Sequence, residues 1–345
     1  MGKYNKTAIC SGKFIRTSIE WRERTVILQN MNFRSFIVLI AVTCLAGCTG
    51  NQDTRVLPSS KEELGELLFH EKMLSQDNTI SCASCHIPEF AFADTAALSS
   101  GVGGKKGRRN TPSAANMSAR SFFFHDGRAE TLEQQAIGPI ENPVEMNLPV
   151  DVAISRLNKD LFYLQSFKKI YGESANREHL SDALASFERT LETSDTPFDR
   201  YMHDEANAIS EAAKRGHKIF NEKGKCFDCH FGPDFTGDEF RNIGLYNEKE
   251  LNDKGRFEVT GKKEDLGKFK VPGLRNIAVT APYMHNGMFR TLKEVIDYYN
   301  DPSAFVHAPV NSDSLTSGKL NLTDSEKQDL LAFLESLTDK RFKTR

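Results

Sequence analysis

The pentapeptide "CASCH" at residues 82–86 decides how this sequence is read, because it returns as "CFDCH" at 226–230. In each, two cysteines stand three apart and a histidine follows at once. That spacing puts the two thiols about one helical turn apart, facing one side of the chain. The histidine can then turn beneath whatever the thiols hold. The chain has seven cysteines, and beyond Cys10, Cys44 and Cys48 the two pentapeptides account for all of them. None is left over for a separate structural disulfide.

C-x-x-C-H is the attachment signature of c-type haem. Both thiols add across the vinyl groups of one porphyrin edge, and the histidine ligates the iron. A four-cysteine zinc site is the rival, since two C-x-x-C pairs can close a tetrahedron. Zinc, however, has no need of a histidine after each pair. The expectation is two covalent haems. Cys82 and Cys85 hold one with His86 as ligand, and Cys226 and Cys229 hold the other with His230.

Outward from the first pentapeptide, the N-terminus reads as an export segment. The longest apolar run, "FIVLIAVTCLAG" (36–47), spans twelve residues, short of the 18 or so of a membrane span. Basic residues precede it, and "LAGC" (45–48) closes it in a form resembling a bacterial lipobox, which makes Cys48 an acylated mature N-terminus and places the protein in the periplasm on a lipid anchor. "MNFRSF" begins at Met31, so residues 1–30 read as an upstream extension. Residues 1–47 carry a net charge of +5, which leaves −7 for the rest of a chain whose total is −2. That acidic balance excludes a nucleic-acid partner and suits a basic redox partner.

After a polar linker (49–60), "KEELGELLFHEKML" has helical spacing of Leu64, Leu67, Leu68 and Phe69. The Gly-rich basic stretch "SSGVGGKKGRRNTP" (99–112) lacks the ending of a P-loop and reads as a surface loop. "TLEQQAIGPIENPVEM" predicts a helix stopped by Gly138 and Pro139. Residues 150–192 read as largely helical, and "LETSDTPFDRYM" (191–202) as a domain junction. "ISEAAKRGHKIFNEKG" is a helix leading into the second pentapeptide, 231–275 loops with a short hairpin, "TLKEVIDYYN" a helix, and "TDSEKQDLLAFLESL" a helix with a Thr323–Glu326 capping box. The fold class is all-α, in two related modules that each run helix, CxxCH, loops, helix. The boundaries are 61–195 for an N-terminal haem domain and 196–345 for a C-terminal one.

The chain resembles the bacterial di-haem cytochrome c peroxidase and MauG family from about Glu63 to Lys340. "GRRNTPSAAN", "FHDGRAETLEQQAIGPIENPVEM", "SDTPFDRYM", "LRNIAVTAPYMHNG" and the two pentapeptides carry the resemblance. It implies two cytochrome c-like domains with calcium between them, hydrogen peroxide as oxidant, and a small redox protein as electron donor. The N-terminal haem is the peroxidatic one. Glu145 in "NPVEM" matches the catalytic distal glutamate and Gln135 the neighbouring distal glutamine. A carboxylate there can carry a proton during O–O cleavage.

Three departures refine this. The loop histidine that caps the resting peroxidatic iron in the peroxidases is Val102 here, which implies an iron open without reductive activation, as in MauG. The sixth ligand of the second haem, a methionine in the peroxidases, is Tyr299, with Tyr298, Met284 and Met288 as rivals. A tyrosinate is hard and anionic and lowers the potential. The tryptophan between the haems is replaced by His125, and Trp21, the only tryptophan, lies in the leader. Asn110, Thr280 and Pro282 match the calcium ligands, hard oxygen donors of the kind calcium takes. His285 matches a family histidine near the second haem. His70, His179, His203, His217 and His307 match no motif and read as surface residues. The alternatives to a peroxidase are a MauG-like oxidase of a partner protein and a non-catalytic electron-transfer cytochrome.

Overall fold

Helices supply nearly all the regular structure in the computed structural model, which describes residues 55–342. The expected export segment, Cys48 and Trp21 lie outside the described residues. The first half holds α1 (Lys61–Phe69), α2 (Leu132–Glu141), α3 (Val150–Lys159), α4 (Leu161–Tyr171) and α5 (Arg177–Glu188). The second holds α6 (Pro197–Met202), α7 (Glu211–Asn221), α8 (Phe257–Thr260), α9 (Leu292–Asn300) and α10 (Asp324–Glu335). No described helix is long and apolar enough to cross a membrane.

Each half has its own apolar core. Leu64, Leu68, Phe69, Ile140, Leu157, Phe167, Leu180 and Leu184 fill the first, and Phe220, Leu245, Tyr298, Phe333 and Leu337 the second. Burying each such side chain is worth about 1.5–3 kcal/mol. In both halves the helix before CxxCH crosses the last helix at a glycine. A Cβ on Gly65 of α1 would overlap the Ala183 carbonyl of α5 and press on Phe187 Cβ at 2.7 Å. A Cβ on Gly216 of α7 would overlap the Asp329 carbonyl of α10 and press on Phe333 Cβ at 2.9 Å. Glycine is needed at both places because the backbones touch.

The duplication extends further. Phe123 bridges Ala129, and Tyr283 bridges Phe289. Thr131 caps α2 and Thr291 caps α9, each accepting from the backbone N–H three residues on. Asn116 and Asn276, each four residues after a proline, have φ of 57° and 63°. The halves also exchange backbone hydrogen bonds where they meet. Asn110 N–H donates to His285 O, and Lys270 N–H to His125 O, each at 2.7 Å.

Two local expectations are corrected. α2 does not stop at Gly138 and Pro139 but runs on to Glu141. Pro139 lies in the last turn, where the missing N–H costs one bond, and the carbonyls beyond are used elsewhere: Pro139 O accepts from Met146 N–H and Ile140 O from Leu148 N–H, at 3.1 and 2.8 Å. The expected hairpin in 231–275 is instead a long-range pair. β1 (Phe240–Arg241) runs antiparallel to β2 (Phe269–Lys270), with Phe240 opposite Lys270.

Candidate active site

One cavity of about 1080 Å³ lies between the halves, and its wall includes His86 and His230, Gln135 and Glu145, His125 and Tyr299. Each pentapeptide opens on a single 3₁₀ turn, Cys82–Ser84 and Cys226–Asp228. The turns are closed by His86 N–H to Cys82 O and His230 N–H to Cys226 O, both 2.9 Å. That brings each histidine back over its own cysteine pair. All four thiols are free and partly buried. Burial pushes Cys82 and Cys226 up to about 12.

The two imidazoles are held alike. His86 Nδ1 donates to Phe92 O and His230 Nδ1 to Phe235 O, each at 2.9 Å. A carbonyl only accepts, so the proton is on Nδ1 and the lone pair on Nε2 is left for a metal. Burial lowers both pKa values, which keeps the rings neutral. Among the described residues no three His, Cys, Asp or Glu gather into a metal site, so the two cysteine pairs do not close one zinc tetrahedron. A cavity just above the usual single-ligand range of about 300–1,000 Å³, two imidazoles with Nε2 free of protein hydrogen bonds and two thiol pairs fit two haems. So does Gln135 Oε1, a buried acceptor left without a partner.

On the His86 side, α2 and the loop after it place Gln135 and Glu145 on the wall. Glu145 is half-buried, and burial raises its carboxyl above the usual range, against Arg128 and the Asn142 amide, which donates to Oε1 at 2.6 Å. Its backbone is clamped from behind. Val102 N–H donates to Glu145 O at 2.8 Å, and a Cβ on Gly101 would meet the same oxygen at 2.5 Å. Val102 is therefore a buried support for Glu145, and its side chain is absent from the cavity wall.

On the His230 side, Tyr299 faces the cavity and makes no protein hydrogen bond, with burial pushing its phenol up. Tyr298 is spent on the core, fully buried and donating to Ile243 O. Met288 is 37% exposed and outside the wall, whereas Met284 lines it. The duplication adds a contrast. Tyr299 and Pro139 each stand eight residues after the capping threonine of their helix, so the place taken by a phenol in one half holds a side chain with no donor atom in the other.

At the seam, His125 Nε2 donates to Asn110 O at 2.9 Å, and burial holds its pKa down to about 4, so the ring is neutral. His285 stacks on Phe269, centroids 3.8 Å apart, with its pKa likewise lowered by burial. Asn110, Thr280 and Pro282 all line the same cavity. The Asn110 amide donates to Ala96 O and Ala97 O at 3.1 and 3.2 Å, which leaves Oδ1 available.

Two of the remaining histidines, expected at the surface, are half-buried. His217 packs between Phe198 and Phe333, at 4.8 and 5.1 Å, and His179 stacks on Tyr171 at 4.3 Å. His70, His203 and His307 are exposed.

Sequence reasoning missed three features of the wall. Glu188 is 6% exposed and faces the cavity. Its signal was an acid on the apolar stripe of Leu180, Leu184 and Phe187. Lys270 is a buried cation in the "FKVP" segment. Arg109 joins the halves through Asp126 at 2.5 Å and Asp253 at 2.8 Å, pairings no local pattern reveals.

Two family profiles match the chain: one described as di-haem cytochrome c peroxidase over residues 59–207, and cytochrome c over 213–338. The sequence is 37% identical over 288 residues to the methylamine utilization protein MauG of Methylophilus methylotrophus, covering 81% of this chain and 83% of that one. It is 40% identical over 240 residues to the cytochrome c peroxidase Ccp of Escherichia coli K12, covering 68% of this chain and 51% of that one. Among solved structures, a MauG-like protein associated with microbial copper homeostasis superposes with a TM-score of 0.75 at 33% identity, covering 84% of this chain and 93% of that one. The diheme peroxidase BthA of Burkholderia thailandensis gives 0.74 at 26% identity, covering 84% and 88%.

Proposed function

Because this chain belongs to the di-haem cytochrome c peroxidase and MauG family, we propose that it is a peroxidase reducing hydrogen peroxide with electrons from a small redox protein. It is an oxidoreductase with two c-type haems. The observation that carries the reading is the asymmetry of the cavity: two imidazoles that each leave Nε2 without a protein hydrogen bond, with the first half alone adding a half-buried carboxyl free of any ion pair, Glu145, and an unpartnered amide oxygen, Gln135 Oε1; the second half's wall carboxyls, Asp234 and Glu258, are paired to arginines.

Cys82, Cys85 and His86 would hold a haem whose iron would supply the redox chemistry for peroxide reduction, and Cys226, Cys229 and His230 a second that would store and relay electrons. The chain's own residues do the rest. Glu145 takes a proton from the incoming peroxide and returns it to the oxygen that leaves, and its raised pKa brings it closer to the working pH than a surface carboxylate. Gln135 offers Oε1 to orient the peroxide O–H. Pro139 brings no ligating atom to that side, while Tyr299 on the other offers a phenol oxygen, free of protein hydrogen bonds, that would serve as a ligand. Rapid mixing of the purified holoprotein with peroxide, followed optically with and without a reduced cytochrome c, tests the activity. No spectral change on mixing, and no donor oxidation, would leave an electron-transfer cytochrome.

A second reading, oxidation of residues in a partner protein, is supported by Tyr299 on the wall and by Val102 in a place where it cannot ligate. Mass analysis of candidate partners after peroxide treatment separates the two. Calcium bound by Asn110, Thr280 and Pro282 is part of the proposal, as are export to the periplasm and a lipid on Cys48. Metal analysis after chelation tests the first, and mass spectrometry of the membrane-extracted N-terminus the others.

A further inference from the structure

We propose that the Lys270 ammonium binds a propionate of one of the two haems and serves as a fixed counter-cation at the seam. This rests on the haem-binding reading above. The Lys270 side chain is 11% exposed and faces the cavity. Its nearest carboxylate oxygen, Asp238 Oδ1, is 3.9 Å away, too far for a hydrogen bond. That oxygen is itself buried without a hydrogen-bond partner, while the Asp238 carboxylate is anchored by Ser121 N–H at 2.6 Å. So an orphan donor and an orphan acceptor face each other across a gap.

The other buried cations of the wall are satisfied. Arg109 is bonded to Asp253 at 2.8 Å, Arg120 to Asp234 at 2.5 Å and Arg275 to Asp199 at 2.8 Å. Among the described residues lining the cavity, Lys270 is the buried cation without a hydrogen-bonded carboxylate. Leaving a buried charge so is costly, because its lost hydration is not replaced. Packing does not call for it, because the equivalent position in the first half, which makes the matching seam hydrogen bond, is the neutral Asn110. The missing partner is therefore an anion that enters with the contents of the cavity. The anionic groups of a haem are its propionates, on the edge opposite the vinyls that the cysteines take. Burial pushes the ammonium down to about 8, with Asp238 opposing and Arg120 adding. A propionate beside it reverses that and holds the charge.

The test is a spectroelectrochemical titration of the holoprotein and of Lys270→Met, Lys270→Gln and Lys270→Arg at pH 7. A fixed positive charge favours the reduced haem. Lys270→Met is expected to shift the reduced-to-oxidised ratio of one haem roughly tenfold toward oxidised at fixed potential, about 59 mV for a one-electron couple. Lys270→Arg should stay near wild type. If the methionine variant does not mature, Lys270→Gln is closer in shape and polarity and reads the same charge. Unchanged potentials in a folded, doubly haem-loaded Lys270→Met or Lys270→Gln protein overturn the inference. A shift that appears only with added phosphate or chloride assigns the site to a free anion and also overturns it. A pyridine haemochrome assay on the same wild-type sample tests the haem reading separately.

Discussion

Glu145, half-buried, and Glu188, buried, are two acids in one cavity wall with different consequences. Glu145 is held through its backbone by the Gly101–Val102 loop and through its side chain by Asn142, so Glu145→Gln keeps the shape and removes the proton carrier. Peroxide turnover should fall by about 10²–10⁴-fold with both haems retained, measured by stopped-flow. Turnover within a factor of two of wild type would show that another group moves the proton. Glu188 has no hydrogen-bonded partner, and burial pushes it up to about 8 from its ordinary 4.5, Arg189 opposing and Glu133 adding. Arg189 and Glu133 are largely spent on each other at 2.6 Å. Between those two pH values the folded protein holds a proton that the unfolded chain has released. Stability therefore falls as pH rises through that window and levels off above it. Glu188→Gln should flatten the loss, retaining on the order of 1 kcal/mol or more at pH 8 relative to wild type, read by denaturant melts at pH 5 and pH 8. Parallel pH profiles for the two proteins would refute the burial argument. Tyr299 makes a third residue-scale expectation. The oxidised protein should lack the far-red band of a Met-ligated haem, and Tyr299→Phe should perturb one haem spectrum only. A far-red band indifferent to that change would hand the ligand to Met284.

At the scale of elements, the two glycine crossings matter most. α1 meets α5 at Gly65 and α7 meets α10 at Gly216 with backbone and side-chain atoms in contact, so even a methyl group must push the helices apart. Gly65→Ala and Gly216→Ala should each destabilise by about 1–3 kcal/mol, despite alanine's better helix propensity. Urea melts of the holoprotein decide this, and a stabilised variant would mean the helices can slide. Helix periodicity, caps and the Thr323–Glu326 box were legible because they depend on neighbours three and four residues apart. The end of α2 was not. Gly138 and Pro139 are stop signals locally, yet tertiary bonds from Met146 and Leu148 take up the freed carbonyls and let the helix continue.

For the whole molecule, the seam is electrostatic as well as backbone-bonded. Arg109 from the first half is buried between Asp126 and Asp253, one from each half, and Arg108 adds an exposed pair with Glu258. Burial opposes Asp253 being charged, but Arg109 outweighs it and holds the carboxylate down to about 2. Arg109→Met strands the Asp253 carboxylate and leaves Asp126 with Arg128 only, and should cost about 3–5 kcal/mol, visible as a lower denaturation midpoint. Arg108→Met, at the rim, should cost under about 1 kcal/mol. Equal effects would mean that the seam does not bury the Arg109 charge.

What the sequence by itself determined is whatever short-range chemistry encodes: paired thiols one turn apart, a histidine beside them, helical stripes and capping residues. From these came two haem-attachment turns in an all-α chain, and the family likeness added Glu145, Gln135 and Tyr299. Only the tertiary structure decided that the two sites share one cavity, that Val102 lies behind Glu145, that Tyr298 is used by the core while Tyr299 is not, and that Lys270 and Glu188 face inward. Those are matters of burial and of partners up to 150 residues apart, such as Arg108 and Glu258. The energy of a charged or polar group depends on what surrounds it in space, and a linear pattern does not carry that information.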